Sequence, residues 1–172
     1  KGVIRGEITA DHVRQLWDAV ATADDGEELG VVLDNCTGAQ PWAMMAAAYA
    51  VRCYWRKCTV YVQGECLSAG LQFLVPGQFH LWVRASADAT FLPHGADSAS
   101  SGGWRRNNWQ AEGLAYGASI RNALGPAMRL TFWLTALEAG DHQLTAEEAL
   151  AVGLVDEIGP PPDWARELLE GG

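Results

Sequence analysis

Two short segments of this sequence are apolar on both faces, and no other feature constrains the fold as strongly. They cover residues 29–33 and 58–62 and consist almost entirely of apolar side chains. A strand with one face in water alternates polar and apolar residues, whereas a strand covered by helices on both sides does not. Both segments therefore predict buried strands of a sheet that has helices on either side.

Helical patterns alternate with these strands. Apolar residues follow the i, i+3, i+4, i+7 spacing from Val13 to Val20, and Thr9 can cap that helix. Thr145 and Glu148 form a capping box that opens another helix. The other predicted helices cover residues 42–54, 68–75, 109–124 and 127–139, and the other strands cover 3–8, 80–85, 89–92 and 154–158. This alternation predicts an α/β fold with a largely parallel sheet.

The length of 172 residues fits a single domain over residues 1–172 with a substantial core. Within it we expect a polar loop at 34–38, a strand end at Gly64 and a mobile loop over 95–108, which is rich in Ser, Gly and Asn.

Charge and hydropathy exclude two classes of partner. The net charge is −9 and basic residues do not cluster, so a nucleic-acid backbone is not expected as a ligand. No apolar run approaches the roughly 18 to 20 residues of a membrane span, and no signal peptide is visible. We expect a cytoplasmic protein without a membrane partner.

The four cysteines form no C-x-x-C pair, and three of them lie in apolar segments typical of buried thiols. We therefore expect no metal site, no cofactor and no disulfide framework. Eight tryptophans offer large apolar faces, which favours self-association.

The residues that could carry chemistry follow the predicted strands. In such folds ligands and nucleophiles gather at the carboxyl ends of strands, where this sequence has Gly38, Ala39, Ser68 and His94. Ser68 stands where a strand turns into a helix, beside free backbone N–H groups that suit an attacking oxygen and its oxyanion. By itself this serine is better explained as a helix cap.

The order and spacing of four motifs resemble a known family. Residues 35–39, Asn-Cys-Thr-Gly-Ala, stand where that family has Asn-Ser-Pro-Gly-Gly, and the distance to the Gly-x-x-x-Ser segment at 64–68 agrees without a gap. Residues 84–94 are similar to a pair of strands in that family that ends in a histidine. Residues 140–156 are similar to the family's motif Asp-Arg-x-Leu-Ser-Ala-x-Glu-Ala-x-x-x-Gly-Leu-Ile-Asp. The chain thus resembles the Clp protease proteolytic subunit (ClpP), a serine peptidase of the crotonase-like superfold.

This resemblance implies a serine-type endopeptidase that hydrolyses peptides or unfolded proteins. Ser68 would be the nucleophile, His94 the general base and Asp141 the carboxylate that orients the histidine. The N–H groups of Ala39 and Ala69 would form the oxyanion hole, with Gly38 binding substrate. It also implies a homo-oligomeric ring of six or seven subunits and a helical handle over residues 109–139.

Several alternatives stay open. His142 rivals His94 as the base, and Asp156 rivals Asp141 as the acid, whereas His12 and His80 are expected to be structural or solvated. The same superfold includes acyl-CoA-processing enzymes, and a non-catalytic assembly subunit would keep the fold and its interfaces.

The resemblance also bears on an ATPase partner. The first predicted strand begins almost at Lys1, without the preceding segment that lines the axial pore in the family. We therefore expect this sequence to cleave short unstructured peptides without ATP, and not to degrade folded proteins with a Clp ATPase.

Overall fold

The computed structural model describes residues 1–39, 43, 46–47, 50, 57–67, 70–71, 74, 81–92, 143–151 and 153–171. In chain order the elements are β1 (Gly2–Ile8), α1 (Ala10–Thr22), β2 (Leu29–Ala39), β3 (Cys58–Leu67), β4 (Leu81–Ala85), β5 (Thr90–Leu92), β6 (Leu144–Thr145), α2 (Ala146–Ala151), β7 (Glu157–Ile158) and α3 (Asp163–Glu170). The predicted loop over 95–108 and the predicted helices over 109–139 lie outside the described residues.

The described strands form one mixed sheet that is largely parallel. Strands β1, β2, β3, β4 and β7 are hydrogen-bonded in that order, and all of these neighbours are parallel. β5 pairs parallel with the second half of β3, and β6 pairs antiparallel with β5. The predicted fold class, α/β with a largely parallel sheet, is confirmed.

Apolar layers cover both faces of the central strands. On one face Val31, Leu33, Val60 and Val62 join the main core, into which α1 inserts Leu16. On the other face Ala165 of α3 forms a smaller cluster with Val32 and Tyr61. Trp164, Leu168 and Leu169 of the same helix pack around this cluster. This double cover is the reason that the central strands carry no alternation of polar and apolar residues.

Two predicted strand ends were wrong. β2 continues through the expected polar loop to Ala39, and β3 runs past Gly64 to Leu67. Both strands continue because Gly64 and Asn35 take left-handed backbone angles, with φ of 66° and 49°, and absorb an irregularity in the pairing without ending it.

Helix α1 begins with a capping box that contains a histidine. The Thr9 hydroxyl accepts from the His12 N–H at 3.4 Å, and the His12 Nδ1 accepts from the Thr9 N–H at 3.1 Å. His12 therefore has the structural role that the sequence predicted, at the start of a helix.

The partial burial of His12 makes the stability sensitive to pH. Burial lowers the pKa of His12 below its ordinary value of 6.5, and the opposing effect of Asp11 is smaller. As the pH falls, His12 therefore takes up a proton at a higher pH in the unfolded chain than in the folded protein. Protonation of His12 thus favours unfolding, and the free energy of unfolding should decrease as the pH falls below 6.5. His12→Gln keeps an acceptor for Thr9 but does not titrate. The urea concentration at the unfolding midpoint should fall less from about pH 8 to about pH 5 in H12Q than in the wild type. An equal fall in both proteins would show that His12 is not the cause of the pH dependence.

Candidate functional site

Three strand ends come together at one edge of the sheet. β3 and β5 run parallel and end level with each other, with Glu65 paired to Thr90 and Leu67 to Leu92. β6 lies beside β5 in the opposite direction, with Phe91 paired to Leu144. The carboxyl ends of β3 and β5 and the start of β6 therefore meet at one place.

The predicted site residues lie in this region of the chain, but most are outside the described residues. Ser68, Ala69, His94 and Asp141 belong to that group, and so does the rival His142. The structure describes their neighbours: Leu67 directly precedes Ser68, Gly70 directly follows Ala69, Leu92 is two residues before His94 and Gln143 is two residues after Asp141.

Gly38 and Ala39 are the predicted site residues that the structure does describe. They are the last two residues of β2, where they pair with Glu7 and Ile8 of β1. Gly38 is buried and has a φ of 139°, a conformation that side chains with a Cβ rarely adopt. At the end of β2, Gly38 therefore has a backbone conformation that favours glycine, and Ala39 is paired with Ile8 of β1.

An irregularity in strand pairing lies just before these ends, at Gly6, Asn35 and Gly64; we call it the register break. All three residues have positive φ, of 65°, 49° and 66°. Between β2 and β3, Asp34 pairs with Gln63 and the next pair is Cys36 with Cys66, so the register shifts there. Between β1 and β2, the register shifts between Arg5 and Glu7 of β1. The register break therefore sets which residues stand level at the carboxyl edge.

Two buried thiols lie against Gly70. Cys36 and Cys66 are paired across β2 and β3, and both are fully buried. Gly70 packs directly on them: a Cβ at this position would lie 2.9 Å from the Cys36 Sγ and 3.1 Å from the Cys66 Sγ. The two thiols thus lie directly against Gly70.

The described cysteines are poor nucleophiles. Burial raises the pKa of the Cys36 thiol to about 11 and that of Cys58 to about 12. Burial also raises the pKa of Cys66, and the neighbouring Cys36 adds to that effect. Since the thiolate is the reactive form, these three cysteines act as apolar core residues, as the sequence predicted.

Asp156 has a structural role in the geometry observed. One of its carboxylate oxygens accepts a hydrogen bond from the Val83 N–H at 2.7 Å, and its own N–H donates to the Val83 carbonyl at 2.8 Å. Val83 lies in the middle of β4, before the turn that leads to β5. The carboxylate therefore ties the start of β7 to β4, away from the edge where the three strand ends meet.

A cavity of about 520 Å³ lies at the other end of the sheet. It is lined by Leu29 and Gly30 at the start of β2 and by Trp164 of α3, along with Lys1, Ala19, Ala23, Glu27 and Glu28. Because β2 begins there and ends at Ala39, this cavity is separate from the edge that carries Gly38 and Ala39.

Neither a metal centre nor a membrane span is found in the described part of the chain. Its His, Cys, Asp and Glu residues form no group of three that could hold a metal ion. Within the same residues no helix is long and apolar enough to cross a membrane.

Sequence reasoning missed the residues that set the geometry of this edge. The sequence pattern places Asn35 in a loop motif and predicts a strand end at Gly64, and it does not single out Gly70. The one signal in the sequence is that each residue lies within a few positions of a predicted site residue. Asn35 and Gly64 have a positive φ, and a Cβ at Gly64 or Gly70 would approach a neighbouring side chain too closely.

Comparison with known proteins shows similarity in structure without recognisable similarity in sequence. No protein-family model and no curated protein matches this chain. Among solved structures it matches a point mutant of ClpP1 from Listeria monocytogenes, with a TM-score of 0.63 and 15% sequence identity. The match covers 94% of this chain and 92% of that chain. The parallel sheet and this match together show that the chain has a ClpP-like fold.

Proposed function

We propose that this protein is a serine endopeptidase in which Ser68, His94 and Asp141 form the catalytic triad. The observation that carries the proposal is the register of the strands that lead to these three residues. Each triad residue lies within a few residues of a described strand end, and all of those ends meet at one edge of the sheet.

The pairing of β5 with β6 supports the histidine–aspartate contact. Thr90 is paired with Thr145, and Phe91 with Leu144, in an antiparallel ladder. If this register continues by three more residues, His94 stands directly opposite Asp141. Directly opposed residues of an antiparallel pair have Cβ atoms roughly 4.5–5.5 Å apart, which suits a carboxylate that orients an imidazole.

The pairing of β3 with β5 supports the serine–histidine contact. Leu67 is paired with Leu92. If this parallel register continues by one residue, Ser68 stands level with Pro93 and adjacent to His94. A serine hydroxyl is unreactive at neutral pH unless a base within hydrogen-bond reach takes its proton. Histidine titrates in that pH range, which makes it the fitting base.

The pairing of β2 with β3 supports the oxyanion hole. Beyond the register break Cys36 is paired with Cys66. If this offset continues, Gly38 stands level with Ser68 and Ala39 level with Ala69. The N–H groups of Ala39 and Ala69 would then converge on one point beside the serine. Fixed donors of this kind stabilise the negative oxygen that develops during attack on a carbonyl.

The chemistry proceeds in two balanced halves. His94 takes the Ser68 proton while the serine oxygen attacks the peptide carbonyl, and the resulting oxyanion is held by the two backbone N–H groups. Collapse breaks the C–N bond, and His94 passes the proton to the leaving amine. Water then attacks the acyl-enzyme with His94 again as base, which releases the acid product and restores the serine hydroxyl.

The test is covalent labelling with a fluorophosphonate: an activated serine attacks its phosphorus, fluoride leaves, and the phosphoryl oxygen takes the place of the oxyanion. We expect one adduct per chain, located on Ser68 by peptide mapping, and no adduct in Ser68→Ala or in heat-denatured wild type. A folded wild-type chain that stays unlabelled would overturn the proposal and leave a non-catalytic subunit or an acyl-CoA enzyme. An adduct on a different serine would overturn the assignment of Ser68.

The ring assembly and the substrate class remain proposals of the same kind. We propose that the substrate is a peptide or an unfolded protein and that copies of this chain form a ring. The tryptophan-rich region after Trp104, which we expect to form contacts between subunits, lies outside the described residues.

A further inference from the structure

Asn35 has an unusual backbone conformation close to the proposed site. It is the one non-glycine residue with positive φ in the described part of the chain, at 49°. For an L-residue this left-handed conformation is costly, and asparagine tolerates it better than most because its short amide can bond locally. A residue held in this conformation, three positions before the buried Gly38, needs a reason in the structure.

The amide side chain of Asn35 crosses to the neighbouring strand. Its Oδ1 accepts a hydrogen bond from the Glu65 N–H at 3.2 Å, and its Nδ2 donates to the Asp34 carboxylate at 3.0 Å. Gly64 lies beneath this amide: a Cβ on Gly64 would collide with the Asn35 Oδ1. The side chain thus satisfies the backbone of β3 at the point where the regular ladder is interrupted.

The interruption has a direct consequence for the carboxyl ends of both strands. Two residues of β3, Gly64 and Glu65, stand opposite the single residue Asn35, so the offset between the strands changes by one. A change of one residue in register exchanges the faces on which side chains lie and moves each backbone group along the strand. Without it, Cys36 would stand level with Glu65 and not with Cys66.

We propose that Asn35 is a positioning residue that fixes the oxyanion-hole N–H groups of β2 relative to Ser68; this inference rests on the proposed function. Asn35 touches neither substrate nor the reacting atoms. It acts through its left-handed backbone and its bond to Glu65, which together hold β2 and β3 in the shifted register in which Cys36 is paired with Cys66. The proposed position of Gly38 and Ala39 beside the nucleophile depends on this register.

Three substitutions separate the parts of this role. Asn35→Gly keeps the backbone freedom and removes the amide, Asn35→Ala removes both, and Asn35→Asp keeps an oxygen acceptor for Glu65. We expect the rate of fluorophosphonate labelling to fall about a hundredfold in N35A, since displacement of a reacting group by about 1 Å lowers a rate by roughly that factor. In N35G, which keeps the backbone conformation, we expect a smaller loss of about tenfold. N35D should stay faster than N35G.

Peptide hydrolysis, with each rate divided by the concentration of folded protein, gives the readout that a general loss of stability would not move. We expect kcat to fall in parallel with the labelling rate, with KM within about twofold of the wild type, because a misplaced oxyanion hole weakens the transition state and not ground-state binding. Thr59→Ala is the matched control: it removes a side-chain hydrogen bond to Glu28 near the start of β3, away from the register break. T59A should label at the wild-type rate.

The outcomes distinguish this inference from the proposed function. If the wild type reacts and a folded N35G reacts within threefold of its rate, the positioning role is overturned and the triad stands. If N35G and T59A slow down equally, the effect is one of stability and the positioning role is again overturned. If the wild type does not react at all, the catalytic assignment falls and the positioning role falls with it.

Discussion

Replacing Ser68 with alanine is expected to lower peptide hydrolysis by roughly 10⁴ or more while the protein stays folded. The substitution removes only a hydroxyl group and leaves no large cavity, so the unfolding midpoint should move little. His94→Ala should cause a loss of the same size. The measurement is the single-turnover rate of cleavage of a short fluorogenic peptide, with circular dichroism to confirm folding.

The double variant provides the sharper test, because triad members act as one unit. S68A/H94A should be no slower than S68A alone, since each single change already abolishes the proton transfer. His142→Ala, which changes the rival base, should keep the activity within a few-fold of wild type. Losses that multiply in the double variant, or a wild-type rate in H94A, would rule out His94 as the base.

Replacing Gly70 with alanine is expected to destabilise the protein by about 1–3 kcal/mol, the usual cost of overpacking a well-filled core. The added Cβ would lie 2.9 Å from the Cys36 Sγ and 3.1 Å from the Cys66 Sγ. Both sulfurs belong to short side chains that are fully buried in paired strands, so neither can move aside. Urea unfolding measures the change in the free energy of unfolding.

Two further variants make this prediction specific. Gly2→Ala adds the same methyl group where no atom lies within 4 Å, and it should leave the stability within about 0.5 kcal/mol of wild type. Cys36→Ala removes the closest sulfur, so G70A should cost less in that background than in the wild type, with a coupling of about 0.5–3 kcal/mol. Strictly additive effects of C36A and G70A would show that the two residues are not in contact.

Helix starts were predictable because their signals are local. The Thr145–Glu148 capping box forms as expected: the Glu148 carboxylate accepts from the Thr145 N–H at 2.8 Å, and the Thr145 hydroxyl accepts from the Glu148 N–H at 3.2 Å. Thr9 caps α1 in the same manner. Each cap depends on residues three positions apart, so its geometry follows from the sequence alone.

The candidate site was predictable only as a set of residue types in order. The resemblance to the ClpP family selected Ser68, His94 and Asp141, and their roles stay a prediction. What the structure adds is the register of the strands that lead to them, with Leu67 level with Leu92 and Phe91 level with Leu144. Pairing between distant segments depends on contacts that no local pattern in the sequence encodes.

The sequence by itself determined that this chain forms a mostly parallel sheet covered on both faces, because runs such as 29–33 leave no polar face to expose to water. Only the tertiary structure decided that residues 34–39 form a strand. Asp, Asn and Gly are rare in strands, and these residues favour a loop by themselves. Residues of this segment nevertheless pair with β1 as far as Ala39 and with β3 as far as Cys36, and the left-handed Asn35 and Gly64 absorb the mismatch in pairing. Hydrogen bonding to both neighbouring strands outweighs the local preference, and so the edge that carries Gly38 and Ala39 exists only in the folded protein.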